Sequence, residues 1–433
     1  MMRNFVRIAS ALALTLVVGV GAGAGAGAAP AQAGNNYPVV LVPGFLGFGP
    51  EKFTDLHFRY WGGFDDIVGH MQAGGRHQVL AASIAPVAVN WDRAAELYYQ
   101  IKGGCVDYGR AHTARHGHRD GVQQPVGLCW AADPADNPRH YPLAFYPAWD
   151  GAHPIHLIGH SQGGTTIRAL IELLEHGSPN GDEGGADLYK GGKLGWVRSA
   201  TTISAPHNGT TLRDAVLEFP PLVSEWAALI DNFVLLAAGP PRAWVSPASG
   251  IATASPIADF DTAQLEMAPD GAREFNRWAR SAPDVYYFSL ATLATEAGTL
   301  LPINDTDRTI ALLQKPQYQY PRWDMMYVFK PASGEWIYPL TLQHGMGAYT
   351  QSAPGRVRID SKWFPNDGVV NTVSMKGPAG HPQRIYNGVA VPGAWNFLRT
   401  YRGVDHFDVL GWPGATESAY PIYDSIGAII YSL

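Results

Sequence analysis

Ile155-His156-Leu157-Ile158-Gly159-His160-Ser161-Gln162-Gly163-Gly164 is the stretch whose reading decides the fold. Its opening residues, entered after Pro154, read as a short apolar strand. Beyond it, Ile167, Leu170, Ile171 and Leu174 recur at helical spacing, and Gly177 stands where a helix C-cap belongs. Between strand and helix lies G-x-S-x-G, the context in which a serine occupies a sharp, strained turn. Both glycines are required there, because side chains at Gly159 or Gly163 would collide with the neighbouring strand and helix. Ser161 then projects its hydroxyl at the carboxyl end of a sheet, beside a helix N-terminus that favours developing negative charge.

Working outward, Val39-Val40-Leu41-Val42 forms a buried-strand run that Pro43-Gly44 ends in a tight loop. Trp196 to Ser204 and Val285 to Ala291 are further strand candidates. Strands alternating with helices predict a mostly parallel central sheet with helices on both faces, of the α/β-hydrolase type once the serine turn is included. Asp120 to Asp150 and Leu300 to Gly355 carry Pro, Gly, Tyr and Trp without a clear period and read as excursions from the sheet.

A serine hydroxyl needs a base, and the base an orienting acid, in the chain order Ser, acid, His for this architecture. His406, in Gly403-Val404-Asp405-His406-Phe407, is the last histidine of the chain, and Asp367 lies on a turn before it in Asn366-Asp367-Gly368. On the residues alone His381 and His344 remain rival bases, and Asp360 and Asp405 rival acids. Two backbone amides are expected to form an oxyanion hole: that of Gln162, next after the nucleophile, and that of Phe45 in the loop after the first strand.

Composition narrows the class. The 433 residues are 46% hydrophobic and only 16% charged, with 49 Gly and 33 Pro, which describes a loop-rich globular protein rather than a disordered or coiled-coil chain. A net charge of -6 and a pI near 6.2 speak against a nucleic-acid partner, whose phosphates demand clustered Lys and Arg. Arg3 and Arg7, the apolar run that follows and Ala31-Gln32-Ala33 have the form of a signal peptide over residues 1–33. Residues 34–433 are then one secreted catalytic domain with insertions and no transmembrane anchor. Cys105 and Cys129 fit a single disulfide in such a chain, bracketing His112 and His118.

Several blocks then come into view together: Tyr60-Trp61-Gly62-Gly63, Asn90-Trp91-Asp92-Arg93-Ala94, GGCVDYGRAHTARHGH from Gly103, His160 to Gly164, TTISAPHNGTT from Thr201, NDGVVNTVSM from Asn366 and VDHFDVLG from Val404. In that order and over most of the chain the sequence resembles the thermoalkalophilic bacterial lipases. The resemblance implies Ser161 as nucleophile, Asp367 as acid and His406 as base. It also implies a structural zinc at Asp92, His112 and His118, with Glu266 where the family has Asp; a Glu offers the same kind of oxygen on a longer arm. For the family's calcium, Asp408 matches one carboxylate, whereas the next falls on Pro413, and a hard cation wants several oxygens. Pro43 likewise stands where the family has His.

Leu222, Trp226, Leu229, Ile230, Phe233 and Leu236 make one apolar helical stripe between Pro220-Pro221 and Gly239-Pro240-Pro241. With the resemblance, this places a helical lid at about 212–241, beside a zinc and disulfide region at about 85–150 and a loop-rich insertion at about 300–355. The expected function is a secreted ester hydrolase, foremost a triacylglycerol lipase working on a hydrophobic ester at a lipid–water interface. The alternatives are a carboxylesterase or polyester hydrolase on short or soluble esters, and a hydrolase-fold protein that binds lipid without turnover.

Overall fold

Seven strands build the central sheet, and every neighbouring pair in it is parallel. The computed structural model describes residues 34–51, 54, 57–73, 77–116, 128–179, 185–217, 263–296, 315–316, 328–330, 335–337, 346–347, 349–412 and 418–433. In chain order the strands are β1 (Val39–Val42), β2 (Val79–Ala81), β3 (Ile155–His160), β4 (Val197–Ile203), β5 (Tyr286–Leu293), β6 (Gln383–Ile385) and β7 (Trp395–Arg402). Their order across the sheet is β6-β7-β5-β4-β3-β1-β2. This is the α/β-hydrolase arrangement, with β3, the strand that leads into Ser161, near the centre.

The alternation along β1 explains why both faces need cover. Val40 and Val42 enter one core with Leu157, Leu97 and Ile101, while Val39 and Leu41 enter the other with Ile158, Ile67 and Ile426. The first core is closed by α2 (Asn90–Lys102) and α4 (Gln162–His176), from which Ile167, Leu170 and Leu174 face the sheet. The second is closed by α1 (Ile67–Gln72) and α6 (Tyr420–Ile430), which contributes Ile422, Ile426 and Ile430. Each such aliphatic side chain stabilises the fold by about 1.5–3 kcal/mol on full burial. Between them in the chain lie α3 (Arg110–His116) and α5 (Pro269–Trp278).

Gly177 ends α4: its amide makes the helix's last bond to the Leu173 carbonyl, and its φ of +73° with ψ −162° is backbone that a residue without a Cβ adopts readily. The predicted disulfide is present: Gly104–Cys105 and Cys129–Trp130 form a short antiparallel pair in which Cys105 sits directly opposite Cys129. No helix among the described residues is long and apolar enough to cross a membrane. The proposed signal segment, the lid stripe from Leu222 to Leu236, His118, His344 and most of the 300–355 insertion lie outside the described residues.

Candidate active site

Ser161 has φ +55° and ψ −130°, a backbone conformation that side chains rarely adopt. The turn is as crowded as the sequence requires. A Cβ on Gly159 would lie 2.5 Å from the Gly163 backbone, and one on Gly163 would lie 2.1 Å from the Val42 carbonyl oxygen. Ser161 follows directly on the carboxyl end of β3, and α4 begins at the next residue.

Asp367 and His406 come together although 39 residues separate them: His406 Nδ1 lies 2.7 Å from Asp367 Oδ2, and both side chains are buried. The carboxylate is held on every side. Its Oδ1 accepts the amides of Val369 at 3.0 Å and Val370 at 2.8 Å, and its Oδ2 also accepts the Thr292 hydroxyl at 2.6 Å. With Nδ1 donating to the carboxylate, Nε2 is the imidazole nitrogen left to exchange a proton with a hydroxyl. The three rivals among the described residues are occupied elsewhere. His381 bonds Ser281 and the Asn276 carbonyl, Asp360 caps the Lys362 amide, and Asp405 accepts the Phe407 and Asp408 amides.

His160 connects this pair to the serine turn. Its Nε2 donates to the His406 carbonyl at 2.8 Å, and the two rings lie 4.6 Å apart. Since a carbonyl only accepts, Nδ1 of a neutral His160 must be an acceptor, and the Tyr60 hydroxyl donates to it at 2.7 Å. Burial, reinforced by the neighbouring His406, holds His160 well below the usual histidine range, and burial pushes the Tyr60 phenol above its ordinary value. Both groups therefore keep the protonation this chain of bonds needs at neutral pH.

The loop after β1 passes against the nucleophile. A Cβ on Gly44 would lie 2.6 Å from Ser161 Cβ, so only glycine fits there, and the Gly44 amide donates to Tyr60 Oη at 2.8 Å. Phe45 follows in this loop. Gln162 opens α4, so its amide is one of the helix's first donors without an intrahelical partner. A serine in a strained turn at a helix N-terminus, linked through His160 to a carboxylate-oriented imidazole, is an arrangement suited to acyl transfer.

Of the expected metal ligands, Asp92 and His112 meet: His112 Nε2 lies 2.8 Å from Asp92 Oδ1, both buried, with the Trp91 ring stacked on the imidazole. Glu266 turns its Oε2 to the Asn90 amide at 2.8 Å, at the start of the same helix. Among the described residues no group of three or more His, Cys, Asp or Glu side chains is placed to hold a metal ion. Asp408 Oδ2 accepts the Asp405 amide at 2.9 Å, and Pro413 lies outside the described residues.

Tyr60, His160 and Thr292 are the site residues that spacing did not single out. Tyr60 stood only inside a larger motif block, and nothing in the sequence said that a tyrosine 100 residues before His160 would bond it.

The chain is similar to several known proteins. A family model described as the C-terminal domain of lipase-like proteins matches residues 35–219. A lipase of Staphylococcus epidermidis is 29% identical over 401 residues, covering 88% of this chain and 51% of that protein. The chain thus spans about half the length of the curated relatives it matches. Among solved structures, lipase 1 from Pelosinus fermentans is similar at 32% identity and a TM-score of 0.67, over 92% of this chain and 99% of that one. EstA from Clostridium botulinum is similar at 30% identity and the same TM-score of 0.67, over 94% and 89% of the two chains.

Proposed function

The chain belongs to the bacterial lipase family, and from this premise we propose that it is a secreted serine ester hydrolase acting foremost on triacylglycerol. The motif blocks place it, in our reading, in the thermoalkalophilic branch. Ser161 Oγ attacks the ester carbonyl while His406 Nε2 takes its proton, and Asp367 holds the imidazole in the tautomer that can do so. The Phe45 and Gln162 amides receive the oxyanion. His406 then protonates the departing alcohol, and water, activated by the same imidazole, frees Ser161. Cleavage before Gly34 would release the mature enzyme, and N-terminal sequencing of the exported protein reads that position directly.

The observation that carries this reading is the Asp367–His406 pair, tied through His160 to a serine in a strained turn. Ser161→Ala should lower turnover of nitrophenyl esters by on the order of 10⁶-fold. A variant that keeps near-normal turnover sinks the mechanism. The same assay run from short to long acyl chains separates lipase from esterase, since preference for short soluble esters alone would move the substrate class.

We further propose a structural zinc held by Asp92, His112, His118 and Glu266. The buried Asp92–His112 contact supports it, since a carboxylate and an imidazole at 2.8 Å are a ligand pair in the making. When bound, the ion would cross-link α2 to the disulfide-bracketed loop and take no part in the chemical step. Metal analysis of purified protein should give one zinc per chain that resists mild dialysis; a substoichiometric content overturns the site.

A further inference from the structure

Arg93 is fully buried on α2, and among the described residues its guanidinium makes no hydrogen bond to a carboxylate. Its guanidinium is spent on backbone. Nη2 donates to the Pro43 carbonyl at 2.5 Å and reaches the Gly44 carbonyl at 3.3 Å, while Nη1 donates to the Ala85 carbonyl at 2.5 Å. Nε donates to Thr166 Oγ1 at 3.0 Å. A charged, rigid fork in the core is costly to bury, and here it grips the loop beside the nucleophile.

The planarity of the peptide turns those contacts into a directional constraint. In a trans peptide the C=O and N–H point in opposite directions. The Pro43–Gly44 peptide is fixed at both ends, its carbonyl on Arg93 and its amide on Tyr60 Oη at 2.8 Å. In the next peptide Arg93 holds the Gly44 carbonyl, so the Phe45 amide is directed away from Arg93. Through Nε the same guanidinium reaches Thr166 on α4, whose hydroxyl lies 3.0 Å from the Gln162 carbonyl in the first turn of that helix.

We infer that Arg93 is a positioning residue that sets the Phe45 and Gln162 amides at a fixed spacing, so that the oxyanion hole is assembled before an ester arrives. This rests on the hydrolase reading above and adds the residue that organises its hole. Lysine at 93 keeps the charge but offers one compact donor group in place of a planar fork, so it cannot hold two loop carbonyls and Thr166 together.

Arg93→Lys tests it in the full chain, with Thr166→Val as a milder variant that leaves Arg93 in place and removes its link to α4. A fluorophosphonate that labels Ser161 counts competent sites, so that kcat is expressed per labelled site. A trifluoromethyl ketone, which forms an oxyanion on Ser161, reads the hole itself. In Arg93→Lys, kcat per labelled site should fall by on the order of 10²-fold, the loss typical of a displaced catalytic group. KM for a soluble ester should barely move, and inhibition by the ketone should weaken in proportion to kcat/KM. Thr166→Val should move kcat and ketone inhibition in the same direction by less.

A loss confined to melting temperature and labelled fraction, with per-site kcat and ketone inhibition unchanged, overturns the inference and leaves Arg93 a structural residue. If Arg93→Lys yields no labelled protein, an unchanged per-site kcat in Thr166→Val overturns it by itself. Recovery of the Arg93→Lys rate on adding zinc would also overturn it, because the defect would then lie at neighbouring Asp92. A wild-type chain that neither labels nor turns over esters refutes the hydrolase reading instead, whichever way the variants behave.

Discussion

Asp367 uses its two oxygens differently, and this makes its substitution by asparagine informative. Oδ1 accepts two backbone amides, from Val369 and Val370, while Oδ2 faces His406 Nδ1 and the Thr292 hydroxyl. An asparagine must keep its oxygen toward the two amides, so its NH₂ takes the Oδ2 position and presents a donor to His406. The imidazole then accepts at Nδ1 and carries its proton on Nε2, where it cannot receive one from Ser161. Asp367→Asn should therefore lower kcat by on the order of 10⁴-fold with little change in KM. A loss below tenfold, measured per fluorophosphonate-labelled site, would remove Asp367 from its proposed role. Ser161 was readable from the sequence because strand, turn and helix all surround it within two dozen residues. Asp367 and His406 were not separable from Asp405 or His381 by that means, since their pairing depends on where β5 and β7 end, and only the family resemblance pointed to them. Tyr60, Arg93 and Thr292 act by contacts across the fold, so no local spacing carried their signal.

At the scale of elements, what was legible followed from burial. β1, β3, β4 and β5 are all but fully buried, and the sequence betrays them as apolar or β-branched runs. The outer strands β2 and β6 each have three residues, too few to show a period, and β6 alternates exposed and half-buried positions. β7 carries Arg399, Thr400 and Arg402 within its span, a composition that does not announce a strand until β5 and β6 flank it. The cysteine pair was legible for a different reason, since a chain with two cysteines offers each of them one partner. Its closure of the loop between Cys105 and Cys129 stabilises by about 3 kcal/mol on the chain-entropy model. That loop begins where α2 ends, so the link restrains α3 and its His112 against the helix that carries Asp92 and Arg93.

Over the whole molecule, burial of ionisable groups sets the response to acid, and the contributions oppose one another. Burial lowers His156 to about 3, and lowers His160 and His207 well below the ordinary range. Between pH 6.5 and the folded value the unfolded chain binds a proton that the folded chain refuses, so each of these histidines costs stability as pH falls below 6.5. Burial raises Glu96 to about 7 and raises Asp405 as well. These acids keep a proton in the folded state that the unfolded chain releases, so they favour folding as pH falls toward the ordinary carboxyl range. The net slope for the wild type is thus a small difference, and one histidine must be isolated to see its part. His156 suits this because it lies outside the catalytic network: its ring nitrogens meet Ser199 Oγ at 2.7 Å and Asn35 Oδ1 at 2.9 Å, and Asn35 in turn holds the Ile430 carbonyl of α6. His77 and Arg198 are the charged or titrating neighbours that add to the depression caused by burial. His156→Gln keeps a donor and an acceptor at the site but does not titrate. The wild type loses about 2 kcal/mol at this position between pH 7.5 and pH 5, whereas the variant loses none there. Urea unfolding at the two pH values should show the stability gap between wild type and His156→Gln shift by that amount in favour of the variant at pH 5. A gap that stays constant would mean that His156 takes up its proton inside the folded protein, and that the strand holding Ser161 tolerates a buried cation three residues before Gly159.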